Sequence, residues 1–121
     1  MSTNVQQALQ NDRLIDITTT GRKSGSPSRK EIGFHNLGGD IYITGLPGKR
    51  DWYANVVANP SFTFHLKESA EADLEASATP ITDPDRKREI LEQILPRMDR
   101  AHEIDRWVSD SPLIEVDLAA E

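Results

Sequence analysis

Few connections in this chain are long enough to bring a strand back parallel to its neighbour, which points to a predominantly antiparallel sheet. Leu14 to Thr19 is rich in β-branched residues and reads as a first strand. Ile32 to Leu37 reads as a second, with Ile32 and Phe34 on one face. Gly38-Gly39-Asp40 is a strong hairpin turn into Ile41 to Thr44. Phe62, Phe64 and Leu66 alternate with polar residues, as do Leu74, Ala76 and Ala78 further on, and Ile114, Val116 and Leu118 near the end. Each of these strands has one packed and one wet face.

Helices fill the remaining segments. Asp51 is a candidate cap for a short helix over 52–58, ended by Asn59-Pro60. Asp83-Pro84 opens a helix with an apolar stripe of Ile90, Leu91, Ile94 and Leu95. A further helical piece over 98–108 is expected to turn Met98, Ala101, Ile104 and Val108 inward. Residues 1–13 read as a short amphipathic helix, with Val5, Ala8 and Leu9 at compatible spacing, or as a mobile tail able to touch a membrane surface. The reading is a mainly β (α+β) single domain over 1–121: a small antiparallel barrel with short helices on its rim.

The stretch from Thr18 to Lys30 reads as a loop carrying Arg22, Lys23, Arg29 and Lys30, with Gly21 and Gly25 free to take unusual backbone angles. Its amides, hydroxyls (Ser24 among them) and cations suit a phosphate or a carboxylate. A second break, Gly45 to Arg50, adds Lys49 and Arg50 just before a helix N-terminus, which also favours an anion. The net charge is −6, yet residues 21–50 carry six cations against two acids, and the rest eight against eighteen. A basic patch on an acidic body attracts a small polyanion and disfavours nucleic acid. There is no cysteine, and no apolar run approaches a membrane span, so a soluble cytoplasmic protein is expected.

Reactive side chains are harder to find. His35, His65 and His102 sit in no metal-ligand spacing, no serine lies in a nucleophile elbow, and no phosphate-loop or dinucleotide fingerprint is present. No metal site and no catalytic residue is assigned. If the chain is an enzyme, the reactive centre belongs to a cofactor that the protein positions. Trp52 and Tyr53 either flank a planar ring or pack into the core or an interface. Asn55, one turn after Asp51, reads as a brace between helix and neighbouring loop.

Thr18-Thr19-Thr20-Gly21-Arg22-Lys23-Ser24-Gly25-Ser26-Pro27, then Gly48-Lys49-Arg50-Asp51-Trp52-Tyr53-Ala54-Asn55, closed by Ala58-Asn59-Pro60, resembles the deazaflavin-dependent nitroreductase family of actinobacterial oxidoreductases. The resemblance implies a split β-barrel related to flavin-binding barrels and typically a homodimer. It also implies coenzyme F(420), an 8-hydroxy-5-deazaflavin with a phosphate and an oligoglutamate tail. By that resemblance Arg22, Lys23, Ser24 and Arg29 hold the phosphate and tail, while Gly48, Lys49, Trp52 and Asn55 lie along the cofactor. The implied reaction passes a hydride to a hydrophobic acceptor: an activated double bond, a quinone or a nitro compound. The chain departs from the family pattern in carrying Ser28 directly after the loop proline. Over 98–110 it offers His102 and Trp107 where tyrosines usually cover the substrate. The alternatives are a barrel for flavin mononucleotide (FMN) or haem, a non-catalytic carrier of a fatty acid or lipid, and a basic module docking an acidic partner.

Overall fold

A computed structural model describes residues 2–119. Its elements run α1 (Thr3–Asn11), β1 (Leu14–Thr20), β2 (Pro27–Gly33), β3 (His35–Leu37), β4 (Asp40–Thr44), α2 (Asp51–Ala58), β5 (Ser61–Leu66), β6 (Ala72–Pro80), α3 (Pro84–Ile94), α4 (Ile104–Asp110) and β7 (Leu113–Leu118), with 3-10 turns between α3 and α4. The strands form one sheet in the order β2-β1-β5-β6-β7-β4-β3, and every pairing is antiparallel.

That order explains the shape. β2 and β3 lie at opposite edges of the sheet, yet only Phe34 separates them in the chain. Seven strands laid flat would put their edges about 29 Å apart at the usual inter-strand spacing. A single residue cannot span that gap, so the sheet must curl until its edges meet. Phe34 is fully buried at this junction and packs edge-on against Phe64, centroids 5.3 Å apart. The result is a split β-barrel, lined by Ile15, Ile17, Ile43, Phe64, Leu74 and Ile114. A smaller apolar cluster lies under α3 and α4 around Leu91, Ile94, Leu95 and Trp107.

Three expectations change. Residues 27–30 belong to β2 rather than to the loop: Ser28 pairs with Thr19 and Lys30 with Ile17. β2 is an edge strand beginning with proline and rich in charge, and such strands carry no apolar alternation to betray them. Asp51 does not cap α2; it sits in the first turn, and Arg50 occupies the cap position without a side-chain bond. Met98 and Ala101 are exposed, because the 3-10 turns, with Asp99 left-handed at φ 58°, reset the phase and bring Trp107 inward. Of the two readings of the N-terminus, the helix is the one seen: α1 is capped by Ser2, with Val5, Ala8 and Leu9 all buried in the core. Among the described residues, no helix is long and apolar enough to cross a membrane.

Candidate functional site

The first basic loop, Gly21 to Ser26, is locked by its own hydrogen bonds. The Gly21 amide donates to Ser26 O (2.8 Å), the Gly25 amide to Gly21 O (2.9 Å), and the Ser26 amide to Ser24 Oγ (3.1 Å). A Cβ on Gly21 would stand 2.6 Å from Ser24 Oγ, so the turn excludes any larger residue there without rearrangement. Arg22 leans onto α2. Its amide (3.1 Å) and Nη1 (3.0 Å) both donate to Asn55 Oδ1, and Nη2 reaches Asp51 Oδ1 at 3.3 Å. Asn55 is buried and uses Nδ2 to donate to Thr19 Oγ1 at 3.1 Å. Loop, helix and the end of β1 are thus tied at one residue. The brace read from the spacing of Asn55 is present as drawn.

The second basic segment is built differently. Gly48 takes φ 123°, a region hostile to side chains, and its amide donates to Asp110 O at 3.0 Å. Arg50 Nη2 donates to Leu46 O (3.0 Å), folding the segment over its own guanidinium. Lys49 is exposed and pairs with no carboxylate among the described residues, and the same holds for Lys30.

Between these elements lies a cleft of about 470 Å³, lined by Ser28, Arg29 and Lys30 from β2, Ile17 and Thr19 from β1, and Lys49 to Trp52 from the second segment. Four cations from two separated stretches of chain border one space. Two unpaired ammonium groups, a hydroxyl and a guanidinium make a donor set that fits a phosphate or a string of carboxylates. Arg29 is less free than its neighbours, since Nε donates to Asp16 Oδ2 at 3.0 Å. That Asp16 carboxyl, bonded by Lys67 and Arg29, is held below the usual carboxylate range. Trp52 is buried beneath the cleft, edge-on to Tyr53. Arg22, Lys23, Ser24 and Asn55 do not line it.

A second, larger cavity of about 710 Å³ opens where β1 and β7 finish and β5 begins. Thr18, Thr20, Phe62, Ala76 and Leu118 form part of its wall, with Gly25 of the first loop and Pro27 of β2 also lining it. The two spaces share one lining residue, Thr19.

The model of the family F420H(2)-dependent quinone reductase matches residues 1–110. The chain belongs to that family. It is accordingly an oxidoreductase dependent on a deazaflavin, as the sequence motifs implied. Solved structures agree on the fold. The haem storage protein HutZ of Vibrio cholerae superposes with a TM-score of 0.71 at 15% identity, covering 97% of this chain and 89% of that one. An F(420) reductase gives 0.65 at 21% identity, covering 95% and 93%. A chain solved as a domain-swapped dimer gives 0.60 at 21%, covering 88% and 81%.

For a member of this family, the sequence reading found the second cationic segment and underrated β2. Lys30 and Arg50 line the cleft but were named only as part of the charge pattern. Lys30 would have stood out had 27–30 been read as a strand, because alternation from Ile17 and Thr19 sets which of its residues share their face. Trp107, in the stretch where the family's tyrosines cover the substrate, is wholly buried, its Nε1 donating to Glu103 Oε1 at 3.3 Å, while His102 is exposed.

Proposed function

We propose that the protein reduces a quinone or a related activated double bond, nitro compounds included, drawing its electrons from reduced coenzyme F(420). The observation that carries this reading is the meeting of Lys30 with Lys49 and Arg50 around one cleft, next to a larger cavity that shares Thr19. The cleft takes the phosphate and oligoglutamate tail, and the cavity takes the deazaflavin ring with the acceptor beside it. When bound, the coenzyme supplies a hydride. The chain supplies anchorage by Lys30 and Lys49, with Arg29 and the Gly48 turn bordering the tail. Asn55 and Arg22 hold the loop wall, Lys23 and Ser24 stand at its outer edge, and Trp52 forms the cleft's floor. The likeness to a domain-swapped dimer supports a homodimer in solution.

Equilibrium titration with F(420), followed by fluorescence, tests the site. Affinity should fall sharply for a deazaflavin lacking phosphate and tail. Equal affinity for the two compounds would sink the cleft assignment. Turnover of the reduced coenzyme with menadione tests the acceptor class, and the absorbance of the purified protein separates a deazaflavin enzyme from one that retains FMN or haem.

A further inference from the structure

The cavity wall holds a feature the tail site does not use. Thr18 on β1, His65 on β5 and Asp73 on β6 stand side by side on three adjacent strands. Thr18 Oγ1 lies 2.7 Å from His65 Nε2, and His65 Nδ1 lies 2.7 Å from Asp73 Oδ1. Register makes this arrangement: Asp16, His65 and Asp73 are direct cross-strand partners, and Thr18 follows Asp16 by two residues on the same face. His65 is 7% exposed, whereas the Asp73 side chain is largely in solvent. Thr18 alone of the three borders the cavity.

We propose that Thr18, recharged by His65 and with Asp73 orienting the ring, donates the proton that completes reduction of the acceptor in that cavity. This rests on the functional reading above. Asp73 is held below the usual carboxylate range by its bond to His65, so it stays ionised and accepts from Nδ1–H. The ring therefore presents Nε2 to Thr18: an acceptor when neutral, a donor when it is an imidazolium. The other charges around His65 are already engaged or turned to water. Asp16 bonds Arg29 and Lys67, Glu31 bonds Lys67, and Glu75 lies exposed on β6.

A quinone gains two electrons and one hydrogen as a hydride from the reduced deazaflavin, which ends oxidised, its ring-nitrogen proton going to solvent. The second quinone oxygen takes a proton from Thr18 Oγ1, forming one O–H bond as another breaks. The Nε2–H proton of His65 restores the threonine hydroxyl. His65, left neutral, takes up a proton from solvent after the product leaves.

The test uses the full chain with reduced F(420) and menadione, alongside nitrogen-15 NMR of the histidine rings without cofactor. In the wild type, kcat should fall on a limb at rising pH, since the relay needs the protonated ring, and NMR should show the proton on Nδ1 when the ring is neutral. Thr18→Val and His65→Gln should each lower kcat by about 10²-fold and abolish that limb, as expected for loss of a positioned acid. Thr18→Ser should restore both rate and limb, while F(420) affinity stays within about twofold in all of them. Asp73→Asn should lower kcat with less effect than Thr18→Val and should let NMR detect the proton on Nε2 of the neutral ring, because the carboxylate that fixes Nδ1–H is gone. A Thr18→Val enzyme with wild-type rate and pH profile overturns the donor alone, as does a neutral His65 protonated at Nε2 in the wild type. Wild type that binds F(420) but passes no electrons to menadione or any other acceptor overturns the functional reading, and the donor role falls with it.

Discussion

The two basic segments look alike in composition but spend their cations in different ways. In the first loop, the Arg22 guanidinium is consumed by Asn55 and Asp51, and its work is to fasten β1 to α2. In the second, Arg50 is folded against its own backbone while Lys49 is left to the cleft, opposite Lys30. Counting cations along a sequence therefore overstates binding capacity wherever a carboxylate or amide oxygen of the same chain lies within reach. What matters is the charge that remains after the fold has satisfied itself.

The largest expected effect attacks that contrast directly. Lys30→Ala with Lys49→Ala should weaken F(420) binding by about 3 kcal/mol, since each charge-assisted contact contributes at least about 1.5 kcal/mol, with melting temperature unchanged. Arg22→Ala with Lys23→Ala should weaken it by less than half as much and cost stability instead. Equal losses of affinity in fluorescence titrations would break the comparison. Acid offers a control that touches neither segment. His35 is buried with Nδ1 unpartnered, and burial together with Arg97 and Arg13 lowers its pKa to about 4. The unfolded chain thus takes a proton before the folded one, so stability holds above about pH 6.5 and declines towards pH 4. The loss reaches about 3 kcal/mol at 1.36 kcal/mol per unit. Urea midpoints measured against pH should show that slope in the wild type and lose it in His35→Gln.

Smaller effects sharpen the picture. Asn55→Ala leaves the Thr19 hydroxyl and two Arg22 donors unpaired and should cost about 2 kcal/mol in urea unfolding, with affinity falling only as the loop loosens. Gly48→Ala strains a positive-φ position and should cost about 1 kcal/mol, read as a lowered melting temperature. Lys23→Ala alone, on an exposed turn, should change stability by less than about 0.5 kcal/mol.

How much of this was legible beforehand follows from what each residue reports about itself. Alternating apolar residues exposed β5, β6 and β7, and Gly38-Gly39 marked the β3–β4 hairpin, because these signals are local. The start of β2, residues 27–30, was hidden, since both its faces are polar there and only its pairing with β1 makes it a strand. Trp107 was left off the inward face for a related reason: a periodicity carried through Met98 cannot anticipate a left-handed Asp99 that rotates the next helix. The Thr18–His65–Asp73 row is invisible in one dimension, its members being 47 and 8 residues apart. Family motifs marked the two basic segments as a whole, but the division of labour among their cations depends on distances that no motif encodes.

One residue, Phe34, carries the chain from one margin of the sheet to the other. So short a hinge is the kind that favours trading arms between copies, and lengthening it by a few glycines should let each chain close its barrel alone.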